Sequence, residues 1–370
     1  MEHTWIATSA FGLEGIVRDE LKRLKMRHVT VEHGGVKFLA TYAEAYKALL
    51  WLRCADRVRL LLGEGRVTSF EDLYQLVHSI PFETILPYDG AYHISGQCAR
   101  SQLMSVRDCQ AITKKSLIER LKKVYQLDFF PENKEIYAVD VSIHSDFARI
   151  TLDATGSALN KRGYRVFNGE AALRETMAAA LVLISPWDQE TMLYDPCCGT
   201  GTILIEAAMI ASQTAPGKSR YFSIDEWRYI DKNAFVRERS LANIIGKIPD
   251  GCVIAGSDIN PEALSFSHQH IKRAGYAGSI QCSLKNLKDF THKEKRGLFI
   301  MNPPYGVRMS DKKTSEQLGL EIGKMMKRHN GYTFCILSDN PGMERLVGEK
   351  ASSKRRFYNG RIECEFFIFN

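Results

Sequence analysis

Over the first 65 residues, apolar positions alternate between the two-residue period of strands and the longer period of helices. Trp5 to Ser9 reads as a strand, and Leu13, Ile16, Val17, Leu21 and Leu24 fall on one face of a helix. Val29–Val31 and Val36–Leu39 flank His33-Gly34-Gly35, a hairpin signal. Ala43 to Leu52 is apolar at helical period, and Val58 to Leu62 is again strand-like. The order β-α-β-β-α-β is the ferredoxin-like arrangement. Residues 66–155 predict a second α+β unit: a helix at Phe70–Ile80, a strand at Tyr92–Cys98, a long basic helix at Asp108–Tyr125, and a strand pair at Ile136–His144 and Phe147–Leu152.

A connector, residues 156–169, carries glycines at 156, 163 and 169. From residue 170 to 370 the pattern changes to apolar strands separated by longer helices, which predicts an α/β unit with a mostly parallel sheet. Strands are expected at Met192–Tyr194, Val253–Gly256, Ser279–Cys282, Leu298–Met301 and Tyr332–Leu337. Helices are expected at Ala171–Ile184, Thr202–Ser212, Pro261–Ala274 and Ser315–Arg328. Lys354–Tyr358 and Glu363–Phe369 suit an antiparallel hairpin at the sheet edge. Residues 213–250 interrupt this alternation as an insertion whose role the pattern does not give.

Composition changes this picture little. A chain of 370 residues with 45% hydrophobic and 25% charged residues is expected to form two or three globular domains. Nothing at the start reads as a signal peptide and no apolar run reaches the length of a membrane span. Nine cysteines without a CxxC pair fit neither a disulfide framework nor a zinc site, so no metal is expected and a reducing, cytoplasmic setting is.

The net charge of +7 adds more, because the excess is local. One basic cluster is Arg100, Arg107, Lys114, Lys115, Arg120, Lys122 and Lys123; the other, Lys354, Arg355, Arg356 and Arg361, is interleaved with Phe357 and Tyr358. Cations beside aromatic rings suit a phosphate backbone with unstacked bases, although solvated faces have the same composition.

Three short segments carry chemistry. In YDPCCGTG, Tyr194–Gly201, a strand ends at Asp195 and a glycine-containing turn opens a helix; Gly199 and Gly201 let backbone pass close to a ligand. The turn lacks both GxGxxG and the P-loop lysine. In GSDINPEAL, Asp258 ends the next strand, where a carboxylate accepts hydrogen bonds from both ribose hydroxyls, while Asn260 is better placed to cap the following helix. A ligand with a ribose and no need for a phosphate-binding lysine describes S-adenosylmethionine. In NPPY, the Asn302 side chain and a carbonyl fixed by Pro303 and Pro304 supply two acceptors for an exocyclic NH₂, and Tyr305 a ring for an extruded base.

DPCCGTG, GSDIN and NPPYG, in this order, resemble motifs I, II and IV of Rossmann-type amino-methyltransferases. RGYRVFNGEAALRETMAAALVL resembles the lead-in of THUMP-domain RNA methyltransferases, and SQLMSVRDCQAITKKSLIERL resembles a THUMP domain. The likeness covers nearly the whole chain and is greatest to the bacterial group that makes N2-methylguanosine in 23S rRNA. It implies a Rossmann-like class I methyltransferase sheet (170–370) preceded by ferredoxin-like (1–65) and THUMP (66–155) α+β domains. It implies S-adenosylmethionine held by Asp195, Pro196, Cys197, Gly199, Gly201 and Asp258, and a target base held by Asn302, Pro303, Pro304 and Tyr305. Near the adenine amino group the family often has Asp; here Asn286 stands there, with Asp289 as a substitute. The second methyltransferase domain of the double-length members has no counterpart in this sequence.

The implied partner is RNA, as 23S rRNA or a large-subunit assembly intermediate, with no membrane. Adenine N6 is the rival target, since the same tetrapeptide holds either amine. A non-catalytic RNA-binding assembly factor is the reading from another class, against which the complete Asp195, Asp258 and Asn302–Tyr305 set speaks. A nucleophilic Cys197 or Cys198, as in pyrimidine C5 methylation, is disfavoured because both lie in the cofactor turn.

Overall fold

The structure is a computed structural model that describes every residue except 166–172, 245, 292–295, 305–308 and 361. In the amino-terminal part the elements are β1 (His3–Thr8), α1 (Glu14–Arg23), β2 (Arg27–Glu32), β3 (Gly35–Ala40), α2 (Tyr42–Trp51) and β4 (Arg57–Arg66). There follow α3 (Phe70–Ser79), β5 (Ala91–Ala99), α4 (Val106–Tyr125), β6 (Ile136–His144) and β7 (Phe147–Asp153). Helix starts follow local chemistry: Thr41 and Ser69 each close a capping box, with Glu44 and Asp72 returning the hydrogen bond.

The two expected amino-terminal units share one sheet. Its order is β2-β3-β1-β4-β7-β6-β5, in which β2-β3-β1-β4 is the ferredoxin-like part and β4 pairs antiparallel with β7. Strand β4 therefore runs to Arg66, past the expected end at Leu62. The apolar pattern stops at Gly63-Glu64-Gly65, and only pairing with residues 147–150 of β7 carries the strand onward. Registry places Phe38, Trp5, Leu60, Leu152, Val139 and Ile94 in one cross-strand row. Five of these are fully buried or nearly so, and Ile94 packs against the same core. The opposite face is polar: Arg59 lies beside Asp153, and Asp140 between Thr151 and Ser95.

The second sheet is built from β8 (Leu193–Asp195), β9 (Ile254–Asp258), β10 (Ile280–Leu284), β11 (Gly297–Met301), β12 (Tyr332–Ser338), β13 (Ser353–Asn359) and β14 (Ile362–Phe369). Its helices are α5 (Glu175–Ile184), α6 (Thr202–Ala211), α7 (Asn233–Ala242), α8 (Pro261–Ala274), α9 (Met309–Arg328) and α10 (Met343–Val347). The strand order is β10-β9-β8-β11-β12-β14-β13; only β14 runs against its neighbours. This is the doubly wound sheet expected, with its switch point between β8 and β11. Helix α9 begins at Met309, before the expected Ser315, and the start expected at Ala171 lies outside the described residues. Helix α6 has no polar face because nine of its residues are buried, packed against α5 and strands of the sheet.

The insertion 213–250 joins the two halves. Phe235 of α7 stacks on Tyr46 of α2 at 4.2 Å, and Trp227 stacks on Trp5 at 6.4 Å. The Tyr46 hydroxyl donates to Asp225 at 2.8 Å and accepts from Arg239 Nε at 2.9 Å. The connector adds a buried polar network. Arg162 pairs with Glu206 of α6 at 3.3 Å, both side chains almost fully buried, and donates to the Arg53 carbonyl. Arg53 in turn donates to the carbonyls of Met209 and Thr214, and Glu20 accepts from the backbone N–H groups of Arg53 and Cys54.

Candidate active site

Strands β8, β9 and β11 are adjacent and parallel, so their carboxyl ends open on one edge. Asp195 ends β8, Asp258 ends β9 and Asn302 follows β11. The three motifs, spread over more than a hundred residues of sequence, thus meet at the switch point, where open α/β sheets take their ligands.

The turn after β8 is held from several sides. The Asp195 carboxylate accepts from the Cys197 N–H at 3.0 Å, and the Cys198 N–H donates to the Ser257 carbonyl at 3.0 Å. Gly199 and Gly201 have φ of +50° and +79°, a region that side chains with a Cβ rarely enter. A Cβ at Gly201 would also lie 2.5 Å from the Ser267 Oγ. Gly201 caps α6 without a side chain, so the first N–H groups of that helix face the turn with no side-chain acceptor. Pro196 is buried beneath the turn and Cys197 partly so.

Asp258 connects the first two motifs. Its Oδ2 accepts from the Gly199 N–H at 2.8 Å and its Oδ1 from the Asn260 N–H at 2.9 Å. Each carboxylate oxygen keeps a second lone pair for an incoming hydroxyl. Asn260 does cap α8, accepting from Glu262 and Ala263 at 2.9 and 3.3 Å. The donors and acceptors of this edge suit a nucleoside: glycines where a Cβ would crowd, and a carboxylate with spare lone pairs.

Burial pushes the Asp195 carboxyl well above the usual range, against the Cys197 N–H that favours its charge, while the neighbouring Asp258 charge adds to the rise. Burial likewise raises the Cys197 thiol. Cys198 is raised by its hydrogen bond with Cys282 and then by burial. Neither cysteine of the turn is poised as a thiolate, in keeping with the disfavoured nucleophile.

Asn286 follows β10 on the same edge and is exposed; its Oδ1 accepts from the Lys288 N–H at 3.1 Å and caps a short turn. Asp289 is exposed in that turn. In the third motif Asn302 is half-buried, Pro303 buried and Pro304 exposed, whereas Tyr305 lies outside the described residues.

Other residues of the site gave no signal in the sequence. His270 of α8, buried, holds the Thr200 carbonyl at 3.1 Å. Arg165 spans the Leu173 carbonyl, the Thr202 hydroxyl and Glu175, at 2.9, 3.0 and 3.0 Å. The basic helix is also less open than its composition suggests. Arg120 pairs with Glu83 at 2.6 Å and Lys114 with Glu132 at 3.0 Å, which leaves Arg107 and Lys123 among its exposed cations, with exposed Arg100 in the loop before it.

Sequence families divide the chain into three, the first two sharing the amino-terminal sheet and the third holding the other. Residues 4–59 match the RlmL ferredoxin-like domain, 67–153 the THUMP domain, and 162–367 the RMKL-like methyltransferase domain. YpsC of Bacillus subtilis, which bears a provisional RNA methyltransferase name, is 34% identical over all of this chain and 96% of its own length. The ribosomal RNA large subunit methyltransferase K/L of Psychromonas ingrahamii is 32% identical over 98% of this chain, which spans about half (49%) of that relative. Among solved structures, SMU.472, which bears a provisional methyltransferase name and is complexed with SAH, superposes with a TM-score of 0.94 at 32% identity, covering 100% of this chain and 98% of that one. A Listeria monocytogenes protein named as a predicted N6-adenine-specific DNA methylase gives 0.94 at 34% identity, with 100% and 96% covered. With a family match over residues 162–367 and a relative aligned from end to end, the chain belongs to the RMKL-like methyltransferase family.

Proposed function

We propose that the protein transfers the methyl group of S-adenosylmethionine to the exocyclic N2 of a guanine in large-subunit ribosomal RNA. The observation that carries this reading is the meeting of Asp195, Asp258 and Asn302 at the carboxyl ends of three neighbouring strands. The SAH in the SMU.472 relative and the RNA named for the K/L relatives support it.

In this reading Asp258 takes the ribose hydroxyls on the lone pairs left by Gly199 and Asn260. The glycine turn and the start of α6 take the amino-acid end, and Asn286 stands beside the adenine. The bound cofactor supplies an electrophilic methyl group. The Asn302 oxygen and the carbonyl set by Pro303 and Pro304 hold the two protons of the amine, leaving the nitrogen lone pair free on the other side. The nitrogen becomes acidic only as it gains the methyl, so holding and charge stabilisation suffice and the proton leaves afterwards to water. Tyr305 is assigned the stacking face for the extruded base.

Residues 1–65 and 66–155 are assigned the capture of RNA as one body, since β4 is common to both, and residues 170–370 the transfer. Among the described residues no helix is long and apolar enough to cross a membrane, and all nine cysteines are free thiols; a reducing cytoplasm, where ribosomes assemble, fits both.

The test is nucleoside mass spectrometry of ribosomal RNA from a strain lacking the gene. Loss of N2-methylguanosine at one position is expected, restored by the wild-type gene. Adenine N6 is the second reading, favoured by the name of the Listeria relative, and loss of N6-methyladenosine with N2-methylguanosine intact would replace the first.

A further inference from the structure

A row of rings runs from the methyltransferase sheet to the amino-terminal sheet. Tyr358 of β13 meets Phe11, in the loop after β1, at 5.6 Å between centroids. Phe11 lies 6.4 Å from His33, at the turn between β2 and β3, and His33 stacks on His144 of β6 at 5.1 Å. Phe11 is 54% exposed and Phe147, three residues past His144, is 41% exposed. None of these rings belongs to a core, and four separate chain segments bring them together.

Both ends of the row lead somewhere. Met301 of β11 is level with Ile336 of β12, Ile336 with Phe367 of β14, and Phe367 with Lys354 of β13. Lys354 is therefore level with Met301, three strand spacings or about 14 Å to the side, and Arg356 and Tyr358 run on past that level on the side where Asn302 follows β11. Exposed Lys354, Arg355 and Arg356 flank this end, Lys354 paired with Glu344 at 2.9 Å and Arg356 with Glu363 at 3.3 Å on the open surface, where such pairs exchange readily with a phosphate.

At the other end His33, His144 and Phe147 line a cavity of about 810 Å³ on the polar face of the amino-terminal sheet. Thr151, Ser9 and Arg59 line it too, but Thr151 Oγ1, Ser9 Oγ and Arg59 Nε are themselves buried, without a hydrogen-bond partner among the described residues. The cavity's four arginines are already matched: Arg57 with Asp153, Arg59 with Asp140, Arg149 with Glu32 and Arg174 with Asp56. A phosphate gains little there, whereas exposed rings such as Phe11 and Phe147 suit the faces of unstacked bases.

We propose that a single-stranded segment of the RNA substrate lies along Tyr358, Phe11, His33 and His144, with its bases against the rings, one nucleotide in the cavity and its backbone along β13. This rests on the reading of the chain as an RNA methyltransferase and names the surface that reading leaves open.

The test uses the full chain and a labelled RNA of about twelve nucleotides, single-stranded or annealed to its complement, followed by fluorescence anisotropy. Phe11→Ala with His33→Ala, and separately Tyr358→Ala, should each weaken single-strand binding about tenfold or more, the scale of a lost base–aromatic stack. The slope of affinity against salt should stay as in the wild type, because no phosphate contact is removed. Binding of S-adenosylhomocysteine in calorimetry should be unchanged, which shows that the variants are folded, and Phe11→Tyr should retain RNA affinity. Single-strand affinity within about twofold of wild type in both variants overturns the track alone, and so does equal affinity of wild type for duplex and single strand. Wild-type protein that binds S-adenosylhomocysteine but neither RNA form overturns the RNA reading and the track together.

Discussion

The Gly199 N–H donates to the Asp258 carboxylate at 2.8 Å, across 59 residues of sequence. One hydrogen bond thereby fixes the glycine turn of the first motif to the acidic residue of the second. Each carboxylate oxygen is oriented by one backbone N–H, the other coming from Asn260.

Asp258→Ala should weaken binding of S-adenosylhomocysteine by about 1–3 kcal/mol, the worth of lost hydrogen bonds to a charged group. Calorimetry measures this directly. Unchanged affinity would remove Asp258 from the ribose.

Asn302→Ala should abolish methyl transfer while leaving cofactor affinity within a few fold, because Asn302 is assigned to the base and not to the cofactor. A radiolabelled methyl assay on unmodified ribosomal RNA and calorimetry on the same preparation separate the two quantities. Transfer at the wild-type rate would refute the amine-holding role.

Cys197→Ala should transfer methyl at close to the wild-type rate. Burial raises the thiol above its ordinary value, so it stays protonated at neutral pH. Alkylation of Cys197 by iodoacetamide should accordingly be slow near pH 7 and accelerate only as the pH rises. Loss of all activity in the variant, with cofactor binding intact, would revive a covalent route.

Glu206→Ala should destabilise the fold by about 3–5 kcal/mol, since it strands the buried guanidinium of Arg162 without its charge partner. Thermal denaturation reads this as a lower Tm. A Tm equal to that of the wild type would show that the Arg162–Glu206 pair does not brace the connector.

The candidate site was legible because each motif is local. Asp195 with its glycine turn, Asp258 with Asn260-Pro261, and Asn302-Pro303-Pro304 each pair a strand end with the residues that shape the next turn, within a few positions of one another. Asn260 caps α8 as the sequence alone required. His270 and Arg165 were not legible, because each acts on a backbone or side-chain group tens of residues away.

Local periodicity by itself determined the strands, most helices and the ferredoxin-like order, since a two-residue or longer period is written by neighbours in sequence. It also determined which residue types stand at the ends of β8, β9 and β11. Tertiary structure alone decided that β4 continues to Arg66 and fuses two units into one sheet, because pairing with β7 is a contact across about ninety residues. It alone gave the insertion its role, through Phe235 on Tyr46 and Trp227 on Trp5. It also dispersed the apparent basic surface of α4, where Glu83 and Glu132 neutralise Arg120 and Lys114 from other segments. Periodicity registers which face a side chain takes; which distant partner waits on that face is settled only when the chain closes.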